Sequence, residues 1–93
     1  MLMLDISIDR EFNLAYVRTG AGTFGRTIMV NDDINVDLDV NEGIIGVEFL
    51  HFGNLTLTRE SLMSNELVQG PGIIAAILEA QEILVKKLSS ASH

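Results

Sequence analysis

INVDLDVNEGIIGVEFL, residues 34–50, decides the fold. Ile34, Val36, Leu38 and Val40 alternate with Asn35, Asp37 and Asp39, and after Asn41-Glu42-Gly43 the chain resumes as Ile44-Ile45-Gly46-Val47-Glu48-Phe49-Leu50. Side chains on a strand point alternately to its two faces, so this two-residue period marks a half-buried strand on each side of a turn. A tight turn at Asn41-Glu42 would set Leu38 opposite Ile45, Val36 opposite Val47 and Ile34 opposite Phe49, all on one face. Asn35, Asp37, Asp39 and Glu48 then share the other face. The segment is expected to be an antiparallel hairpin with a buried face and an acidic face.

Working upstream, Leu4, Ile6 and Ile8 alternate with Asp5, Ser7 and Asp9, and Phe12, Leu14 and Tyr16 alternate with Asn13, Ala15 and Val17. Asp9-Arg10-Glu11 between them reads as a short turn, so these two strands form a first hairpin. A third strand covers about Thr23 to Val30, punctuated by Asn31-Asp32-Asp33. Downstream the period changes. Thr58 to Leu67 reads as a short helix capped by Thr58, with Ser61 too early and too polar to add to the cap. Gln69-Gly70-Pro71-Gly72 breaks it, and IIAAILEAQEILVKKL, residues 73–88, is the longest helical signal. On a helical wheel Ile73, Ile74, Ile77, Leu78, Leu84, Val85 and Leu88 cover one face, with Glu79, Glu82 and Lys86 opposite. The expected fold is α+β: an antiparallel β-meander of about five strands over residues 4–52, with a C-terminal helix packed on its apolar face. Residues 1–93 form a single domain, with a helical part over 58–88 and a disordered tail over 89–93.

Composition narrows the function. Apolar residues make up 47% of the 93 residues, and mean hydropathy is +0.32. A chain of this length buries roughly 60–65% of the surface it exposes when unfolded, so some apolar side chains are expected between subunits. The net charge is −7, and the six Lys and Arg residues are scattered. Nucleic-acid binding needs clustered cations to displace counterions, so no nucleic-acid partner is expected. There is no cysteine, which excludes disulfides and thiolate metal sites. The apolar start MLML stops at Asp5, and no run approaches the ~20 residues of a membrane span. A cytoplasmic location without membrane contact is expected.

Three motifs imitate known chemistry. Gly20, Gly22 and Gly25 spell G-x-G-x-x-G and look like a protein-kinase glycine-rich loop, but no lysine occurs before Lys86 to hold phosphates, and the nearest imitation of Asp-Phe-Gly is His51-Phe52-Gly53. A dinucleotide fingerprint fails as well, because strand-like Arg26-Thr27-Ile28-Met29-Val30 follows Gly25 where a helix is required. These glycines are therefore expected to serve a sharply turned or flexible loop between strands. Asp37, Asp39, Asn41 and Glu48 match EF-hand ligand spacing, yet Glu42 stands where that loop needs glycine, and strands rather than helices flank it. The acidic face Asp37, Asp39, Glu48 is read as solvated, with weak divalent-cation binding as an alternative. His51 is the one internal histidine, too few for zinc or a catalytic triad. No catalytic residue, metal or cofactor is expected, and the protein is not expected to be an enzyme.

Gln81 stands out in the last helix. Ile74, Ile77, Gln81, Leu84 and Leu88 follow a 3-4-3-4 spacing, a coiled-coil-like seam with one polar member. Such a residue fixes register against its own copy in helix pairs, or it lies at the edge of a helix–sheet contact and reaches water. On the first reading these five residues form a homo-oligomer interface.

Val36-Asp37-Leu38-Asp39, the turn, and Ile45-Gly46-Val47-Glu48-Phe49-Leu50 resemble the core motif of the bacterial and phage domain-of-unknown-function family numbered 2283. That pattern runs apolar-Asp-apolar-Asp, a glycine-containing turn, then Val-Gly-Ile-Glu-Ile-Leu. Asp9 and Leu14-Ala15-Tyr16-Val17 resemble the family's first hairpin, so the likeness spans about residues 4–52. Gly43 falls one place later than the family's turn glycine. The resemblance implies a small antiparallel sheet and no catalytic residue. Relatives encoded beside toxin-like reading frames imply an antitoxin-like binding role. The expected function is a non-catalytic protein–protein interaction module, self-associating through its C-terminal helix and antitoxin-like or phage-encoded. A small acidic phage inhibitor of a host protein is the alternative.

Overall fold

A computed structural model describes residues 5–51, 57–63 and 71–90. Among these residues five strands form one antiparallel sheet: β1 (Asp5–Asp9), β2 (Leu14–Arg18), β3 (Phe24–Asn31), β4 (Ile34–Asp39) and β5 (Ile44–Phe49). Two helices follow, α1 (Arg59–Met63) and α2 (Pro71–Ser90). The α+β class, the five antiparallel strands and the C-terminal helix on the sheet agree with the sequence reading. The strand order does not. It is β1-β2-β5-β4-β3, so β5 lies between β2 and β4, and a sequential meander is replaced by a crossover from β2 to β3.

The crossover explains the glycine motif. Residues 19–23 carry the chain past the ends of β5 and β4 to reach the far edge. The amides of Thr19 and Gly20 both donate to Ile45 O (3.0 and 3.2 Å), and Val40 N donates to Thr23 O (3.0 Å). Arg18 ties the same loop, with Nε to Gly20 O at 2.9 Å and Nη2 to Gly22 O at 3.3 Å. A Cβ on Gly20 would lie 2.6 Å from Ile44 O, and one on Gly25 2.6 Å from Asp39 O. Close approach of two backbones requires glycine there, whatever the dihedral angles.

Register follows the alternation with one shift. Val36 pairs with Val47 and Ile34 with Phe49, as expected, but Leu38 pairs with Ile44 across an irregularity after Asp37. The turn is the cause. Glu42 N donates to Asp39 O (3.0 Å), and Glu42 has φ of 70°, the left-handed residue of a three-residue hairpin loop. Arg26 holds the Glu42 carboxylate, Nε to Oε2 at 3.0 Å and Nη2 to Oε1 at 2.6 Å. In the first hairpin Asp9 Oδ1 accepts from Glu11 N and Phe12 N, and Asn13 takes φ of 56°. That longer turn puts Ala15 and Val17 in the core and leaves Phe12 exposed in the turn.

On the helix side the sheet presents the cross-strand row Ile6, Val17, Val47, Val36, Ile28. Helix α2 lies over β2 and β5, with Ile74, Ile77, Ala80 and Leu84 buried in the same cluster as Val17, Val36, Val47 and Phe49. Pro71 opens α2, where a missing N–H costs nothing. The Glu82–Lys86 pair forms on its exposed side at 3.4 Å, whereas Val85, placed on the apolar face by the wheel, is 41% exposed. The helix includes Ser89 and Ser90, where a disordered tail was expected to begin. Thr58 caps α1 and, against expectation, Ser61 completes the cap: Ser61 N donates to Thr58 Oγ1 and Thr58 N to Ser61 Oγ, both at 3.2 Å. The expected helix end over 64–67, the break at Gln69-Gly70, residues 52–53 of the kinase-like imitation and the last three tail residues lie outside the described residues.

Candidate functional site

The face of the sheet turned away from α2 carries the polar residues. Its central row is Ser7, Tyr16, Glu48, Asn35 and Met29, one residue from each strand. Beside it run Arg18, Gly46, Asp37 and Thr27. Asp37, Asp39 and Glu48, the residues of the expected acidic face, all lie here, each half-buried rather than freely solvated.

Each carboxylate is engaged from a different direction. The Tyr16 hydroxyl donates to Asp37 Oδ2 (3.0 Å) and the Thr27 hydroxyl to Asp37 Oδ1 (2.6 Å), so three strands are tied through one side chain. Asn35 Nδ2 donates to Glu48 Oε1 at 3.0 Å. Asp39 Oδ1 accepts from Asn41 N and Gly43 N, both at 2.8 Å, and holds the β4–β5 turn. Among the described residues no group of three or more Asp, Glu or His side chains is placed to hold a metal ion. Asn35 Oδ1 is buried without a partner among the described residues.

Gly46 makes the Tyr16–Asp37 bond geometrically available. Tyr16 is on β2 and Asp37 on β4, with β5 between them. The phenol lies across β5 directly over Gly46, where any Cβ would collide with the ring and hydroxyl. Burial, then the hydrogen bond and charge of Asp37, push the Tyr16 phenol up to about 12. A phenol held neutral as a fixed donor supplies neither a base nor a readily released proton near neutral pH. Ser7, Asp9, Leu14, Tyr16 and Glu48 border a hollow of about 190 Å³, below the roughly 300–1,000 Å³ of small-molecule sites.

The residues expected at an oligomer seam are placed otherwise. Ile74, Ile77 and Leu84 are buried against the chain's own sheet, and Leu88 is half-buried on the same cluster. Gln81 has an intrachain partner: its Nε2 donates to Leu57 O (3.0 Å), and its Oε1 accepts from Leu57 N (2.9 Å). The amide thus copies one rung of a strand ladder and fastens the segment before α1. The polar member of the seam is explained without a second helix. Sequence reasoning placed Asp37 and Glu48 on the open face but missed Tyr16 and Gly46 as their partners. The signal was the glycine inside the strand Ile44–Phe49, which marks a close approach.

His51 Nε2 lies 3.7 Å from Asp33 Oδ1, both well exposed. No described helix is long and apolar enough to cross a membrane. Comparison with curated proteins and with solved structures gave no match. The sequence profile of DUF2283, described as a protein family of unknown function, matches residues 5–52. That span runs from the start of β1 to just past β5 and takes in Tyr16, Asp37, Gly46 and Glu48. The chain belongs to the DUF2283 family.

Proposed function

We propose that this domain is a non-catalytic protein–protein interaction module, acting in the cytoplasm, that works from the outer β3 margin of its sheet. The observation that carries this reading is the grouping of exposed apolar side chains there. Phe24 is 56% exposed and Met29 68%, both on β3, and Val40, which is 65% exposed, is bonded to the residue before Phe24. Large apolar side chains gathered at one margin mark association surfaces. The self-association expected of the terminal helix is better supported at this margin, because α2 spends its apolar face on the sheet. An antitoxin-like role, in which the partner is the product of a neighbouring toxin-like gene, is the form that the family resemblance suggests.

The open face lends little to catalysis, since its carboxylates are taken up by Tyr16, Thr27, Asn35 and the β4–β5 turn. The same engagement leaves fewer free carboxylates for an acidic inhibitor that imitates nucleic acid. Replacing Phe24, Met29 and Val40 together by serine tests the reading. Co-expression with the products of adjacent genes, followed by gel filtration with light scattering, is expected to show an assembly that the triple variant loses while keeping its circular dichroism spectrum. A wild type that elutes alone as a strict monomer would count against it.

A further inference from the structure

We propose that β3 pairs antiparallel with β3 of a second copy, about a two-fold axis at Ile28, so that the two sheets become one. This rests on the interaction-module reading and names its occupant. The two edges of the sheet differ in kind. β1 is five residues long, DISID, with an aspartate at each end, whereas β3 is eight residues, FGRTIMVN, without a carboxylate in a chain of net charge −7. Charges on a short edge repel an approaching strand, whereas on the longer β3 edge the one charged side chain, Arg26, is already paired with Glu42. All of β3 is exposed except Ile28, which is half-buried, and Val30, which is buried.

Ile28 fixes the register. The helix-side apolar row Ile6, Val17, Val47, Val36, Ile28 ends on the β3 edge. With the axis at Ile28, that side chain meets its own copy and the row continues into the second sheet. On the open face Thr27 then lies opposite the partner's Met29, and no like charges are opposed at these positions. Register irregularities between Phe24 and Arg26 and between Met29 and Asn31 confine regular pairing to the middle of the strand. A strand paired with itself closes under two-fold symmetry. The aspartates of β1 discourage further addition, so assembly stops at two copies.

The chain has no cysteine, so introduced thiols report only on this contact. Antiparallel partners sit about 4.5–5.5 Å apart at Cα, within the roughly 4.4–6.8 Å span of a disulfide. Thr27→Cys with Met29→Cys is expected to give a disulfide-linked dimer on mild oxidation, while Ser7→Cys on β1 gives none. In sedimentation equilibrium the wild type is expected to dimerise reversibly. Thr27→Lys with Met29→Lys, which sets cations against one another, should weaken the dimer by about tenfold or more with an unchanged circular dichroism spectrum. A wild type monomeric at every concentration overturns the proposal, as does a dimer indifferent to the lysines that leaves the thiols unlinked. A monomer that still binds a different protein, and loses it in the Phe24, Met29, Val40 serine variant, overturns self-pairing while the module reading stands. Loss of both binding modes sinks both.

Discussion

Tyr16 is the single tyrosine in a chain without tryptophan, so its absorbance titration is free of interference. The midpoint is expected at about 12 rather than the unperturbed value near 10. Asp37→Asn, which removes the acceptor's charge, should lower it, though not fully, because burial is the larger cause. The folded state holds this proton more tightly than the unfolded chain. Its contribution to stability is therefore whole below pH ~10 and is lost as pH rises through about 12. Urea midpoints measured across that window should fall for the wild type and fall less for Tyr16→Phe. Gly46→Ala forces the phenol off its seat and is expected to cost about 1–3 kcal/mol, read in the same denaturation assay. If Gly46→Ala were neutral, the phenol would not depend on that approach. Glu42→Gly relieves a left-handed residue, so in an Arg26→Ala background, where the ion pair is already gone, it should raise Tm.

At the scale of elements, Gln81 decides how α1 is held. Gln81→Leu leaves the Leu57 N–H and C=O without their partner, which should destabilise the fold by about 1–3 kcal/mol and speed amide exchange over residues 57–63. Its oligomeric state should match the wild type's, the opposite of what a helix–helix seam requires. The elements themselves were largely legible in the sequence. The 34–50 alternation, the Asp9 turn and the helical period over 73–88 each act locally, through side-chain period or turn chemistry, and local rules found them. The order of strands was not legible. Nothing in the period of β2 or β3 tells whether the next strand lies beside it, and the clue, three glycines crowded against Ile44 and Asp39, reads as a loose loop until those neighbours are known. The candidate site divided the same way. Asp37 and Glu48 fell on the open face by alternation alone, while the reach of Tyr16 across Gly46 needs β5 in the middle of the sheet. The pairing of Gln81 with Leu57 was not legible, because Leu57 belongs to a segment with no period of its own.

For the molecule as a whole, the crossover at residues 19–23 also sets the course of folding. β3, β4 and β5 are neighbours in sequence and in space, as are β1 and β2, so each group can assemble over short loops. Joining them brings Val17 to Val47 across a far longer stretch of chain, and the cost of closing that loop puts the joining late, after the barrier is crossed. Contacts along the β2–β5 seam are then absent from the transition state, and their loss accelerates unfolding while sparing the refolding rate. Stopped-flow chevrons of Gly20→Ala should show a raised unfolding limb and a refolding limb superimposed on the wild type's. A refolding limb slowed in proportion to the lost stability would instead place the crossover in the nucleus.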